Sequence, residues 1–345
     1  MKLSIPHFCI VVLALILLSC KAEQNNSIRL WYGQQQTFGT NGNPQRQINV
    51  LGNLENYQLG DTLYFVLNSE IEKRHLTLGS DSHRLALPGD FNIEIDRVDL
   101  VVGENQIRIT HERQEKTIGE KEIIVNYLPA EKPWPLPYSI KWSEVKKIQD
   151  VVQVVDGQWQ ITDEGIKTKN KYYDRFFAVG DSTWKNLKVK TRVKLHSFTV
   201  PYKAPPSYNV SHFAIASLWP GHSVDGRQPS RQWYPLGATS EFRLEANHQN
   251  SRWRIFDGLY FYKEASKEEY RTIEPETWYS IIHQVEEVGD SIRYSVKLWR
   301  DDIPEPKTWD LIALEKKSYP ETGSVCFLAH NTNVTFGDIY ISPLY

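Results

Sequence analysis

Residues 276–309, ETWYSIIHQVEEVGDSIRYSVKLWRDDIPEPKTW, and 323–344, GSVCFLAHNTNVTFGDIYISPL, decide the fold. Successive side chains of a strand point to opposite faces, so Tyr279, Ile281, His283 and Val285 share one face. Trp278 to Val288 and Ser291 to Trp299 read as strands, and Gly323 to Ala329 and Val334 to Ile341 as two more. His283, flanked on its own face by apolar residues, reads as a core histidine. Cys326, inside the apolar run Val325 to Ala329, reads as a small buried hydrophobe.

Further upstream, strand patterns recur at Trp159 to Lys167, Phe176 to Val179, Leu187 to Leu195, His212 to Leu218, Thr239 to Ala246, Arg252 to Phe256 and Leu259 to Lys263. About eleven strands without helical periodicity predict a two-sheet jelly roll over 142–345. Before it, LPAEKPWPLPY (128–138) carries four prolines in eleven residues, a stiff connector assigned to 129–141. Over 28–128 the segments IRLWYG, RQINVLG, TLYFVLN, HRLALPG, FNIEID, QIRITH and EKEIIVNY alternate and are separated by turn residues. They predict an immunoglobulin-like β-sandwich without the immunoglobulin cysteines, acting as a spacer. The chain is thus expected to be all-β throughout.

Residues 1–20 pair Lys2 with the apolar run FCIVVLALILLSC, a pattern of an export signal. The ending Leu17-Leu18-Ser19-Cys20 looks like the lipobox of bacterial lipoproteins, which would make Cys20 the acylated first residue and 21–27 a polar tether. The resemblance implies a lipid-anchored protein of the bacterial cell envelope. With Cys9 in the signal and Cys20 acylated, Cys326 is left alone and no internal disulfide is expected. The formal net charge is −2, or −3 once Lys2 leaves with the signal, and Lys and Arg are dispersed, which argues against a nucleic-acid partner. Eleven Trp and eighteen Tyr are more than a core of this size needs, and exposed aromatic faces suit sugar rings. No oligomer signal stands out, so a monomer is expected.

The richest stretch chemically is Leu218 to Tyr262. Its first part, Gly221 to Gly237, lacks periodicity and gathers His222, Arg227, Arg231, Trp233 and Tyr234 in a long loop, a length usual for functional loops. Its second part alternates, with Glu241, Arg243 and Glu245 on one strand face and Ser240, Phe242 and Leu244 on the other.

The closing strands resemble those of concanavalin A-like and laminin G-like domains, a fold that serves lectins, glycanases and lyases alike. Ser240-Glu241-Phe242-Arg243 and Tyr260-Phe261-Tyr262-Lys263 are similar to strand motifs of jelly-roll polysaccharide lyases. Those families also carry a Gln-Ile-His strand, whose nearest counterpart here, Ile281-Ile282-His283-Gln284, has its order altered. The assembly as a whole resembles proteins of bacterial polysaccharide-utilisation systems, including those acting on uronic-acid polymers such as ulvan.

Elimination at C4 of a uronate needs its carboxylate neutralised and an acid/base pair at the ring. Arg243 or Arg231 suits the first task through its planar fork. His222 as base, with Tyr260 or Tyr262 completing the pair, suits the second. Arg227, Arg231, Trp233, Tyr234, Glu241, Glu245 and His248 would bind substrate, an acidic polysaccharide or oligosaccharide. A second reading is a noncatalytic glycan-binding protein, with Trp219, Trp233 and Trp253 stacking on sugars. A third is a glycoside hydrolase using Glu241 and Glu245. No cofactor or metal motif is present, although a structural Ca²⁺ held by scattered carboxylates, Asp338 among them, is compatible with the fold.

Overall fold

The computed structural model describes residues 27–132, 134–199, 210–231, 237–245, 250–257, 262–317 and 320–344. Among them the chain is all-β, an N-terminal β-sandwich followed by a two-sheet jelly roll. The sandwich pairs a three-stranded sheet with a five-stranded one. Ile48, Val50, Ile93 and Ile95 from the first meet Leu63, Phe65, Ile107, Ile109, Ile123 and Val125 from the second in one core. Gln35–Phe38 runs parallel to Lys116–Tyr127; the other pairings in both sheets are antiparallel.

The jelly roll packs a seven-stranded sheet on a nine-stranded one. The stretch that decides the fold forms a hairpin, Trp278–Val288 with Ser291–Arg300, closed by the two-residue turn Gly289–Asp290. Gly289 has φ 64°, the left-handed conformation that such turns require. His283 is fully buried as expected, its Nδ1 2.9 Å from Ser240 Oγ and its Nε2 3.0 Å from Ser217 Oγ. These hydroxyls come from the opposite sheet, so the histidine ties the two layers through the core. Cys326 is buried too.

Several elements depart from the expectation, each for a local reason. Trp159 to Lys167 is a hairpin rather than one strand, because Gly165 at φ 146° turns the chain. Val334 to Ile341 is broken at Gly337–Asp338 into Thr332–Phe336 and Ile339–Pro343. There Asp338 Oδ1 accepts from Trp142 N at 3.0 Å, so this carboxylate caps a turn. Leu311–Lys316, not anticipated, forms the sheet edge beside Ser291–Arg300. His83 to Gly89, expected as a strand, is a loop, and the strand lies earlier, at Arg74–Leu76. Local alternation lost to tertiary contact there, since Arg84 and Leu85 are drawn into buried positions.

The two units are not merely strung together. Gln153 Nε2 of the jelly roll donates to Gln47 O at 2.8 Å and Asn49 Oδ1 at 2.9 Å, and Asn92 Nδ2 of the sandwich donates to Val155 O at 2.8 Å. A spacer would not need such buried cross-bonds.

Candidate functional site

The loop that the sequence singles out, residues 221–231 in its described part, faces the N-terminal sandwich. Gln228 exchanges hydrogen bonds with the Glu94 backbone, N to Oε1 at 2.9 Å and Nε2 to O at 2.8 Å. Ser230 N donates to Glu94 Oε2 at 2.8 Å, and Ser230 O accepts from Arg84 Nη1 at 2.6 Å. Gly221, at φ 110°, lies so close to Gln45 that an added Cβ would stand 2.8 Å from its Cβ.

His222 is part of this clasp. Its side chain is 0% exposed, with Nε2 3.5 Å from Asp156 Oδ2. Asp156 also takes Arg84 Nε at 2.8 Å, and Arg84 Nη1 reaches Glu94 Oε1 at 2.7 Å. Burial alone would raise the Asp156 carboxyl, but Arg84 and then His222 outweigh it and hold it below the usual range. Phe176 and Trp219 wall the imidazole from outside. A base must reach the proton it removes, so this placement makes His222 an inter-unit structural residue, not the expected base. Arg227 is exposed, and Arg227 N and Arg231 N both donate to Asp225, whose carboxylate folds the loop back on itself.

Two of the three aromatics expected to stack on sugars, Trp219 and Trp253, are instead core. Trp219 is fully buried against Phe176, and Trp253 packs on Phe213 and Phe242 with Nε1 3.2 Å from Asp310 Oδ2. Trp219 is covered by His222 of the clasp loop and Trp253 by the core of the jelly roll, burial that an alternation pattern alone does not reveal. Trp233, Tyr234, His248, Tyr260 and Cys20 lie outside the described residues. Tyr262 is placed by its backbone in the edge strand Tyr262–Glu264, in register with Phe256.

The chemically active-looking groups of the described residues meet elsewhere, on the outward face of the seven-stranded sheet. Its apolar floor is Phe176, Ala178, Ala214, Ala216, Cys326 and Leu328. Next to that floor, His212 on Ser211–Trp219 and His330 on Ser324–His330 stack with ring centroids 4.7 Å apart and planes 11° apart. His330 Nδ1 lies 2.7 Å from Asp174 Oδ1, and Tyr173 meets the His330 ring edge-on at 4.8 Å. Burial, then the neighbouring His330 ring, hold His212 well below the usual histidine range, so it is neutral. Glu241 Oε2 is 3.7 Å from His212 Nδ1.

Glu241, 1% exposed, takes Arg243 Nε at 3.1 Å and Arg254 Nε at 2.5 Å. Glu264 takes Arg252 Nε at 2.8 Å and Arg243 Nη1 at 3.5 Å, and Glu245 takes Arg252 Nη1 at 2.5 Å. The expected same-face row of Glu241, Arg243 and Glu245 is therefore one rung of a ladder across three strands. Arg252 and Arg254 were not singled out in the sequence, although alternation around Trp253 puts both on this face. The same holds for His212, one strand away from Glu241 and directly opposite Arg243 in register.

Asp174, His212 and His330 offer ligand atoms within 4.8 Å of one another, a grouping from two strands and the residue just before a third that no linear metal motif records. An imidazole lone pair lies in its ring plane. Two stacked, nearly parallel rings cannot both aim at one ion, so this arrangement suits a stacked pair better than a chelate. The N-terminal sandwich reaches this site as well, since His83 stacks on Tyr173 at 5.7 Å.

No protein-family profile matches the chain, and no curated protein matches it. Among solved structures it is similar to the exoplasmic/lumenal domain of VIP36. With the Ca²⁺/Man3GlcNAc-bound form it shares 11% identity at a TM-score of 0.38, over 61% of this chain and 90% of that one. The metal-free form gives 11% and 0.38, over 61% and 93%.

Proposed function

We propose that the protein binds an acidic saccharide on the outward face of the seven-stranded sheet. The observation that supports this is the Arg243, Arg252 and Arg254 group on neighbouring strands, with side chains 17%, 17% and 26% exposed and each gripped by a carboxylate. Arg254, ion-paired to Glu241 through Nε, keeps its Nη edge for a second anion, whereas Arg243 and Arg252 also spend an Nη1 on Glu264 and Glu245. The buried Glu241 thus sets the plane of Arg254 for a uronate or sulfate group. Affinity electrophoresis and calorimetry with carboxylated and neutral polysaccharides test this. Arg254→Gln should weaken binding of the carboxylated polymer about tenfold or more, the worth of one charged hydrogen bond. Equal retardation by neutral polymers, or unchanged affinity in the variant, would refute it.

A second reading, β-elimination of a uronate, is favoured by the neutral His212 beside Arg243. A neutral imidazole can accept the C5 proton while an arginine neutralises the carboxylate, and His212 takes the role that His222 cannot fill. Ultraviolet absorbance of a 4,5-unsaturated uronate would rise with the wild type and stay flat with His212→Ala. A flat trace for the wild type with binding intact leaves the lectin-like reading alone. In either reading the protein would work as a monomer on the bacterial envelope through acylated Cys20, and loss of palmitate incorporation in Cys20→Ala checks the anchor.

A further inference from the structure

One row of side chains runs straight across the outward face of the seven-stranded sheet. His330 pairs with His212, His212 with Arg243 and Arg243 with Arg252, each on the next strand. Neighbouring strands lie about 4.8 Å apart, so these three steps cover about 14 Å, more than a single sugar ring. The row does not end at His330. Tyr173 packs on the apolar floor of the same face and meets the His330 ring edge-on at 4.8 Å. His83, which comes from the other unit, stacks on Tyr173 with centroids 5.7 Å and planes 22° apart. Tyr173 and His83 are both partly exposed.

The sandwich loop that carries His83 is built to hold it there. Asp81 Oδ1 accepts from His83 N at 2.8 Å and from Leu85 N at 2.9 Å, and Asp81 N donates to Leu85 O at 3.1 Å. Ser82, at φ 61°, takes a left-handed backbone that a serine adopts only where its surroundings impose it. His83 Nδ1 lies 2.8 Å from Ser82 O; a carbonyl can only accept, so Nδ1 carries the hydrogen and the ring is held in place. The next residue is pinned to the jelly roll: Arg84 O accepts from Arg175 Nη2 at 2.6 Å, and Arg84 Nε donates to Asp156 Oδ1 at 2.8 Å. A ring ordered in advance loses little freedom when a ligand arrives, which favours recognition.

We propose that His83 reads the length of the ligand: the acidic saccharide held by the arginines runs along this row, and its far units cross the seam onto His83 of the sandwich. The inference rests on the reading of the sheet face as an acidic-saccharide site. It makes the ligand an oligosaccharide of several units rather than a monosaccharide, selected for charge at Arg254 and for length at His83.

Calorimetry on the full chain tests this, with oligogalacturonates, oligomannuronates and hyaluronan fragments from disaccharide to octasaccharide as separate probes. In the wild type the octasaccharide of at least one series should bind about tenfold tighter than its disaccharide. His83→Ala should bring that ratio close to one. General damage to the fold would lower both affinities together and leave the ratio standing, so the ratio isolates contact with the far units. If His83→Ala does not fold, His83→Gln decides by the same ratio. A ratio near one in the wild type, or one that survives the substitution, would overturn the inference. In either case the arginine site still stands if Arg254→Gln weakens every length alike. No binding of any series by the wild type would overturn both.

Discussion

His283 shows what a single buried side chain does to the whole energy balance. Burial depresses it from 6.5 to about 3, so the folded ring refuses a proton that the unfolded ring accepts. Its contribution to stability is therefore complete above pH 6.5 and is lost as the pH falls below that value, down to about 3. In His283→Asn this component disappears. Urea unfolding of the wild type should steepen by about 1.4 kcal/mol per pH unit relative to the variant through that window. Parallel curves would show that the ring is protonated in the fold. Tyr279, Ile281 and Val285 made this residue legible, because three apolar neighbours on one strand face define its surroundings locally. His222 had no such frame. In a loop of Gly and Pro, nothing near it in sequence reveals that Asp156 and Arg84 are its surroundings.

At the scale of elements, the contrast is between strands and the loops that join units. Alternation at residues 240–245 told correctly which side of the strand packs, and it held because both neighbours on the sheet are regular. It could not tell that Arg252, Arg254 and His212 share the charged side, since that depends on strand order and register rather than on spacing. The clasp loop, residues 221–231, was legible as unusual but not as structural. Gly221 tests its role. A methyl group there meets Gln45 in a backbone conformation unfavourable to any L residue. Gly221→Ala should cost more than about 1 kcal/mol and speed limited proteolysis within the loop, while the far hairpin at Gly289 stays protected. Cleavage unchanged from the wild type would mean that the clasp is dispensable.

The whole molecule is held by charges as well as by its cores. Arg84, Glu94 and Asp156 are fully buried, two from the sandwich and one from the jelly roll. Replacing Arg84 by Met leaves two carboxylates facing each other with no cation between them, a loss of about 3–5 kcal/mol. Calorimetry should show one cooperative transition for the wild type, and a lowered, split one for Arg84→Met. Two separate transitions in the wild type would argue that the units unfold independently. The sequence divided the chain at its prolines and made the first half a spacer. Pro-rich composition reports a stiff backbone, but not what the flanking surfaces do once they meet.

Because Asp156 finds its counter-charge on the other half, the jelly roll cannot be lifted out intact. A gene fragment beginning at the prolines would encode an acid stripped of Arg84 and a Trp159 N stripped of Tyr32 Oη, and its product would need new residues before it could serve in a fusion. Descendants of this protein should keep or lose both halves together, and a chimera made at the prolines should inherit neither half's stability.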